Sequence, residues 1–329
     1  MARPSAPEFD RCEAVPFVTF LQRLALVICG WFGVVSAQSA EVRQVTWATS
    51  HAAEPAVLAA PASEYLPAFR LGIQALPEAS IVALTLSQPA FLGLTAEQAG
   101  RLQPLTAERY RLLAQSEVFA TAASALPYCY SERKPERGLA SVYVPDGAGP
   151  ATPAILFLHG YGGSFLWYQH YLSEIFPDHL IVCPAYGITT ASIPPAYVTE
   201  CLAAVSQQLG RPVAKPCLIG LSAGGYGACG VYVSSPRTFS QLICLAASPP
   251  EETAYRFPSD ARPRFLAGGI EPFVLSGDFQ RQTGKIQRTC PETKAATIPG
   301  ADHFFLLTHR EAATAYLRSW IPAKPPAAR

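Results

Sequence analysis

The sequence predicts an α/β protein with a mostly parallel sheet, because short apolar segments alternate with helical segments from about residue 126 onward. The apolar segments are continuous rather than alternating, which is typical of strands that are buried on both faces. Half of the 329 residues are hydrophobic, which is enough for a large core. A sheet of this kind binds its ligand at the carboxyl ends of its strands.

Eight strands are expected in this part of the chain. They are Tyr128–Ser131, Ala140–Val144, Ala154–Leu158, Leu180–Cys183, Pro216–Gly220, Leu242–Ala246, Pro272–Ser276 and Ala295–Ile298. The predicted helices that flank the sheet are Trp167–Ile175, Pro195–Leu209, Ala223–Val233 and His309–Trp320. Only about 24 residues connect the sixth and seventh of these strands, so we expect no large lid domain and a fairly open site.

The first 40 residues are expected to be a signal peptide or an N-terminal anchor. The run Leu24–Val35 is uncharged and apolar, it follows Arg23, and Ser36 and Ala37 provide small residues for cleavage. The run is shorter than the roughly 20 residues of a membrane span. We therefore expect export to the periplasm or the exterior, with a membrane contact only if the segment stays uncleaved.

Charge and cysteine content exclude several function classes. Charged residues make up 15% of the chain and the formal net charge is +1, so no basic surface for nucleic acid is expected. Seven of the nine cysteines follow the apolar N-terminal run, and none has the spacing of zinc ligands. We expect no metal site and interpret the cysteines in apolar runs as small buried residues.

The segment Gly220–Gly224 has the pattern G-x-S-x-G between a predicted strand and a predicted helix. This context is typical of a nucleophile elbow, in which the serine occupies a strained turn and the glycines avoid collisions with neighbouring backbone. Ser222 is therefore the candidate nucleophile, and the alternative is an ordinary glycine turn into a helix.

The segment His159–Gly163, HGYGG, follows another predicted strand. Acyl transfer needs two backbone N–H groups to stabilise a negative oxygen, one after the nucleophile and one from an earlier loop. The candidate donors are Ala223 and Tyr161. His159 is expected to support this loop rather than to act as a base.

Asp278 and His303 follow the last two predicted strands, so the chain order is Ser222, Asp278, His303. His303 is the candidate base, and Asp278 is the candidate acid that orients its imidazole. Asp260 and Glu271 are placed before the seventh strand, and Asp302 is expected to shape the loop beside His303.

The motifs HGYGG, GLSAGGYGA, SGD and ADH together resemble the α/β-hydrolase superfamily over residues 126–322. GLSAGGYGA is similar to the nucleophile segment of the esterase D-like carboxylesterases, and HGYGG to the corresponding loop of cutinase-like and dienelactone-hydrolase-like enzymes. The resemblance implies a serine carboxylesterase that needs no cofactor and acts on a small-molecule or polymer-borne ester. An acyltransferase, a peptidase and a non-catalytic binding protein remain alternatives, because they are compatible with the same motifs.

The domain organisation expected from these patterns has four parts. Residues 1–40 are the signal or anchor, 41–125 an N-terminal appendage with a helix over 106–123, 126–322 the catalytic domain, and 323–329 a flexible tail. Within the appendage, Ile81–Leu86 is compatible with a strand. Three aromatic residues that follow predicted strands are candidates for substrate binding, with packing under the loops as the alternative: Trp167, Tyr168 and Tyr186.

Overall fold

An eight-stranded sheet forms the centre of the computed structural model, which describes residues 39–55, 57, 62–89, 93–132 and 136–321. The predicted signal or anchor and the predicted tail lie outside these residues, apart from positions 39 and 40. Among the described residues, every helix is too short or too polar to cross a membrane.

The strands are numbered in chain order and lie in the sheet in the order β1-β2-β4-β3-β5-β6-β7-β8. They are β1 Glu41–Ala48, β2 Arg137–Val144, β3 Ala154–Leu158, β4 Leu180–Ala185, β5 Cys217–Leu221, β6 Gln241–Leu245, β7 Arg264–Gly268 and β8 Lys294–Ile298. β2 is antiparallel to both β1 and β4, whereas β3 to β8 pair in parallel. The predicted mostly parallel, eight-stranded sheet is confirmed.

The helices described by the structure cover both faces of the sheet. They are α1 Ala62–Ala75, α2 Glu78–Leu86, α3 Ala96–Gln115, α4 Leu126–Cys129, α5 Leu166–Ile175, α6 Pro195–Leu209, α7 Ala223–Ser234, α8 Glu251–Ala254, α9 Pro272–Leu275, α10 Asp278–Thr289, α11 Phe305–Thr308 and α12 Arg310–Trp320. The four longer helices predicted from the sequence are therefore present, with ends that differ by at most one residue.

The apolar composition of the central strands follows from this two-sided cover. Every residue of β3, β5, β6 and β7 is buried. Along β3, Leu156 and Leu158 pack into one hydrophobic cluster, whereas Ile155 and Phe157 pack into the cluster on the other face. Successive residues of a strand point to opposite faces of the sheet, so β3 is fully buried only because a hydrophobic cluster covers each face.

Three segments that were interpreted as strands are helical, and two strands were missed. Tyr128–Ser131 overlaps α4, Pro272–Ser276 overlaps α9, and Ile81–Leu86 belongs to α2. Short apolar runs have no periodicity that separates a strand from a buried helical turn. In α4 and α9 a proline stands in the first turn, where it favours helix because that amide needs no partner. The missed strands are β1 and β7.

The helix predicted over 106–123 begins earlier and ends earlier. The helix is α3, and its N-cap is Thr95, which forms a reciprocal capping box with Gln98. Thr106 is an interior residue whose hydroxyl donates to the carbonyl oxygen of Leu102 at 3.1 Å. The helix continues through Pro104 despite the backbone hydrogen bond that proline cannot donate.

Residues 41–125 are part of the main fold rather than a separate appendage. β1 pairs with β2 along its full length, from Glu41 opposite Val144 to Ala48 opposite Arg137. Helix α3 contacts α5 and α11, which flank the carboxyl ends of the strands. The boundary expected at residue 126 therefore does not separate two structural units.

The seven cysteines that the structure describes are all buried free thiols. For the four in apolar runs, Cys129, Cys183, Cys217 and Cys244, this confirms their interpretation as small buried residues.

A buried carboxylate connects the N-terminal helices to the rest of the fold. Glu78, the first residue of α2, accepts hydrogen bonds from the Tyr110 hydroxyl at 2.7 Å, from the Leu166 amide at 2.8 Å and from the Ser124 hydroxyl. Burial raises the pKa of Glu78 from 4.5 to about 6, although the three hydrogen bonds act to lower it. This side chain therefore holds α2, α3 and the start of α5 together.

Replacing Glu78 with glutamine is expected to change how stability depends on pH. The unfolded chain releases the Glu78 proton near pH 4.5 and the folded chain near pH 6, so this residue makes the free energy of unfolding fall as pH rises between those values. The loss amounts to about 2 kcal/mol at neutral pH. The free energy of unfolding is measured by urea denaturation at pH 4.5 and pH 7. Between these two pH values, that of Glu78→Gln should rise relative to that of wild type by about this amount. Glu97→Gln, which changes an exposed carboxylate in the first turn of α3, is the matched control. An equal pH response of wild type and Glu78→Gln would contradict the assignment.

Candidate active site

Ser222 lies in the sharp turn that connects β5 to α7. It is one of three described non-glycine residues with positive φ, at 54°, a conformation that costs roughly 1–3 kcal/mol and persists only where the surroundings impose it. The amide of Ser222 donates to the carbonyl oxygen of Leu245 at 2.7 Å, and its carbonyl oxygen accepts from the Gly225 amide at 2.8 Å. The turn is therefore held from both the neighbouring strand β6 and the first turn of α7.

The glycines on either side of Ser222 are required by close backbone contacts. A Cβ on Gly220 would lie 2.2 Å from the carbonyl oxygen of Gly224, and a Cβ on Gly224 would lie 2.3 Å from that of Leu158. Such contacts are far inside van der Waals separation, so neither position accepts a side chain without movement of the backbone. The G-x-S-x-G pattern thus serves the elbow geometry that it predicted.

The imidazole of His303 lies between the nucleophile and a buried acid. Its Nε2 is 2.8 Å from Ser222 Oγ, and its Nδ1 is 2.7 Å from Oε2 of Glu271. Since a carboxylate accepts the Nδ1 proton, Nε2 presents its lone pair to the serine hydroxyl. The structure therefore brings the predicted nucleophile and base together.

The acid in this arrangement is Glu271, which the sequence interpretation set aside. Glu271 comes three residues after β7 and is only 2% exposed. Its second oxygen, Oε1, accepts the Gly268 amide at 2.8 Å, so both carboxylate oxygens have a partner. This backbone contact fixes the orientation of the carboxylate relative to His303.

The prediction that Asp278 orients His303 is wrong. Asp278 is the first residue of α10, its side chain is 37% exposed, and its carboxylate pairs with Arg281 at 2.8 Å. The error follows from the strand assignment, because the seventh strand is RFLAG, residues 264–268, and Pro272–Ser276 is a helical turn. With the strand placed correctly, Glu271 is the acidic residue just beyond its carboxyl end. The apolar run after Pro263 was the signal that could have located it.

The two predicted oxyanion donors belong to the loop that follows β3 and to the residue that follows Ser222. A Cβ on Gly160 would lie 3.2 Å from Cβ of Ser222, which shows how closely this loop approaches the elbow. The loop is held by the Gly162 amide, which donates to the carbonyl oxygen of Ile188 at 2.8 Å. Within the described residues, the amides of Tyr161 and Ala223 take part in no turn, loop or cap hydrogen bond.

His159 supports the oxyanion loop from within the core. It is fully buried, its Nδ1 lies 2.8 Å from the carbonyl oxygen of Gly160, and its own carbonyl oxygen accepts the Thr190 hydroxyl at 2.6 Å. Burial lowers the pKa of His159 to about 4, so the ring is neutral at physiological pH. Its position agrees with the supporting role expected from the sequence.

The loop that carries His303 is connected to the N-terminal helices by an ion pair. Asp302 is buried, and its carboxylate contacts the guanidinium of Arg101 on α3. The other carboxylate oxygen accepts the Phe304 amide at 3.1 Å. Asp302 therefore shapes this loop, as expected, and links it to a helix that the sequence interpretation placed outside the catalytic domain.

A cavity of about 290 Å³ opens at Ser222 and His303. Trp167 and Tyr168 line it, and both also pack into the buried hydrophobic cluster on this face of the sheet. The ring of Tyr186 packs against Tyr197 with a centroid separation of 5.0 Å and is not among the residues that line this cavity.

One side of the site is formed by the N-terminal helices. Helices α1, α2 and α3 contribute lining residues and form one wall of the cavity. That wall comes from residues 62–115. The length of the connection between β6 and β7, from which the openness of the site was predicted, therefore has no bearing on this wall.

The strand order, the elbow at Ser222 and the chain order of serine, acid and histidine define an α/β-hydrolase fold. The described residues contain no group of three or more His, Cys, Asp or Glu side chains placed to hold a metal.

No protein-family model matches the sequence, and no curated protein matches it. Among solved structures, the chain is similar to a dienelactone hydrolase from Anabaena variabilis, with 16% identity, a TM-score of 0.44 and coverage of 56% of this chain and 93% of that one. A poly(3-hydroxybutyrate) depolymerase from Bordetella parapertussis has 17% identity, a TM-score of 0.44 and coverage of 58% and 86%. The esterase Pf2001 from Pyrococcus furiosus has 11% identity, a TM-score of 0.45 and coverage of 56% and 86%. Since these similarities are weak, the fold assignment rests on the topology and the elbow.

Exchanging the two candidate acids for their amides should separate their roles. A glutamine side chain can donate its NH2 group to Nδ1 of His303, which favours the tautomer that carries its proton on Nε2. That tautomer cannot accept the serine proton, so Glu271→Gln should slow the reaction of Ser222 with a fluorophosphonate by about 10³- to 10⁴-fold. Asp278→Asn is the matched control and should react at the wild-type rate, because that carboxylate contacts Arg281 instead. The measurement is the second-order labelling rate, and equal rates for wild type and Glu271→Gln would remove Glu271 from the site.

Two glycines of α7 provide a test of the elbow packing. Gly224→Ala places a Cβ against Leu158 backbone and should lower the free energy of unfolding by about 3 kcal/mol or more. Gly230→Ala is the control, because a Cβ at that position would have no heavy atom within 4 Å. There alanine should raise stability by about 0.5–1 kcal/mol through helix propensity. Chemical denaturation of both variants checks the sign of each effect, and a neutral Gly224→Ala would show that the contact relaxes easily.

Proposed function

We propose that this protein is a serine hydrolase that cleaves carboxylic esters through an acyl-serine intermediate. The observation that carries the proposal is the hydrogen-bonded series Ser222–His303–Glu271, with atom separations of 2.8 and 2.7 Å at the end of a strained elbow. A positive-φ serine aligned with a histidine whose other nitrogen meets a buried carboxylate has the geometry of an activated nucleophile.

In the acylation step, Ser222 Oγ forms a bond to the ester carbonyl carbon while its proton moves to His303 Nε2. Glu271 stabilises the resulting imidazolium through its contact with Nδ1. The tetrahedral intermediate then collapses, the bond to the leaving alkoxide oxygen breaks, and His303 returns the proton to that oxygen. The alcohol departs and an acyl-serine ester remains.

The negative oxygen of the tetrahedral intermediate is assigned to the amides of Tyr161 and Ala223. The amide of Ala223 lies at the N-terminus of α7, where the helix dipole adds positive potential. Each donor of this kind typically contributes about 10²–10³ to the turnover rate.

Deacylation uses the same groups with water as the nucleophile. His303 takes a proton from water as its oxygen bonds to the acyl carbon, and Ser222 Oγ leaves with the proton that His303 returns. The products are the carboxylic acid and the restored hydroxyl of Ser222. An alcohol in place of water would give acyl transfer, so the ratio of acid to new ester in the presence of added alcohol distinguishes a hydrolase from an acyltransferase.

Ser222→Ala should remove both ester hydrolysis and covalent labelling. Loss of the nucleophile typically lowers turnover by about 10⁴- to 10⁶-fold. The measurements are hydrolysis of p-nitrophenyl acetate and butyrate and labelling by a fluorophosphonate, with Ser276→Ala as an exposed-serine control that should keep wild-type activity. Hydrolysis or labelling that persists in Ser222→Ala would overturn the proposal.

A further inference from the structure

The cavity beside Ser222 is an apolar chamber whose far wall comes from the N-terminal helices. Ile81, Val82 and Leu86 of α2 and Leu102 of α3 line it, together with the aromatic side chains of α5. The same chamber includes Gly160 to Gly162 of the oxyanion loop and His303. One continuous space therefore joins the reacting atoms to a wall made by residues 78–106.

Helix α2 presents one face to this chamber and the opposite face to solvent. Positions 81, 82, 85 and 86 line the chamber, which is the spacing of one helix face. Leu84 lies on the other face, is 52% exposed and does not line the chamber. The hydroxyl of Thr85 donates to the carbonyl oxygen of Ile81 at 2.7 Å, so it already has a partner within its own helix.

The lining is apolar apart from a few neutral polar groups and the imidazole of His303. Among the described residues that line the chamber there is no Asp, Glu, Lys or Arg. Two polar groups of the wall have internal partners, since Tyr130 donates to the carbonyl oxygen of Gly162 at 3.1 Å and Thr106 to that of Leu102 at 3.1 Å. A carboxylate or ammonium group on the substrate would lose its hydration here without a counter-charge.

The size of the chamber limits the length of the chain that fits. A protein cavity of about 150 Å³ holds one benzene molecule, so a chamber of 290 Å³ has room for roughly ten carbon atoms. Imperfect packing lowers this to about six to ten carbons.

We propose that the chamber holds one uncharged, apolar chain of about six to ten carbons of the ester substrate, and that α2 and α3 determine the chain length. This inference rests on the proposed ester hydrolysis for its catalytic consequence. The chain is either the acyl group or the alcohol group, because the chamber contacts both the oxyanion loop and His303, and the two sources are separated by the experiment.

The test measures kcat/KM for two ester series, p-nitrophenyl esters from acetate to palmitate and acetate esters from methyl to hexadecyl. In wild type, kcat/KM should rise by about two- to fourfold for each added CH2 up to six to ten carbons in one series and fall beyond that length. A maximum in the first series assigns the chamber to the acyl group, and a maximum in the second assigns it to the alcohol. Flat profiles in both series would overturn the proposal.

Two tryptophan substitutions on the same helix provide the structural control. Val82→Trp fills part of the chamber and should lower kcat/KM for the eight-carbon ester by tenfold or more relative to the shortest ester of the same series. Leu84→Trp adds the same ring to the solvent face and should leave the whole profile unchanged. Identical profiles for both variants and wild type would overturn the role of α2. Val82→Phe gives a smaller obstruction if the tryptophan variant does not fold.

A binding measurement separates this proposal from the proposed catalysis. Ser222→Ala should bind p-nitrophenyl octanoate or octyl acetate in calorimetry, with at least tenfold weaker binding when Val82→Trp is added. If the wild-type protein hydrolyses no ester but this binding pattern holds, the chamber assignment stands and the catalytic proposal fails. If Ser222→Ala binds neither ester, or if Val82→Trp leaves the binding unchanged, the chamber assignment fails.

Discussion

The close approach of helix α7 to the strands beside it is the constraint on which the rest of the site depends. Gly224 lies against the carbonyl oxygen of Leu158 at the end of β3, so the helix begins almost in contact with the sheet. The chain can make this transition only through a turn with positive φ, which Ser222 adopts. That turn points the serine side chain away from the core at the sheet edge, and it places the Ala223 amide beside the HGYGG loop. The strain at Ser222 is maintained because two strands and a helix all contact the turn.

The acid and base reach this turn from two different strand ends. Glu271 follows β7, His303 follows β8, and these strands pair in parallel, so both loops emerge at the same edge of the sheet. The Gly268 amide then holds the Glu271 carboxylate, and Asp302 holds the loop of His303 through the Phe304 amide. The imidazole is therefore held in one orientation by contacts within the fold itself.

The N-terminal segment contributes to both the stability of the fold and the shape of the site. β1 extends the sheet, and Glu78 joins α2 and α3 to the first turn of α5. The contact of Arg101 with Asp302 connects α3 to the loop that carries the base. Since the same helices form the far wall of the apolar chamber, a change in this segment would alter the shape of the chamber through packing and leave Ser222, His303 and Glu271 in place.

The sequence by itself determined the sheet class, the candidate nucleophile and base, and the two loops proposed to hold an oxyanion, because these depend on local patterns. An apolar run followed by G-x-S-x-G requires a strand, a turn and a helix in immediate succession, and no distant residue is needed to interpret it. Only the tertiary structure decided the acid and the substrate chamber. Asp278 and Glu271 both stand near short apolar runs, and only the pairing of β7 with β8 shows which carboxylate meets His303. The chamber depends on helices more than 100 residues before Ser222, whose contacts with the site arise from packing and leave no local pattern in the chain.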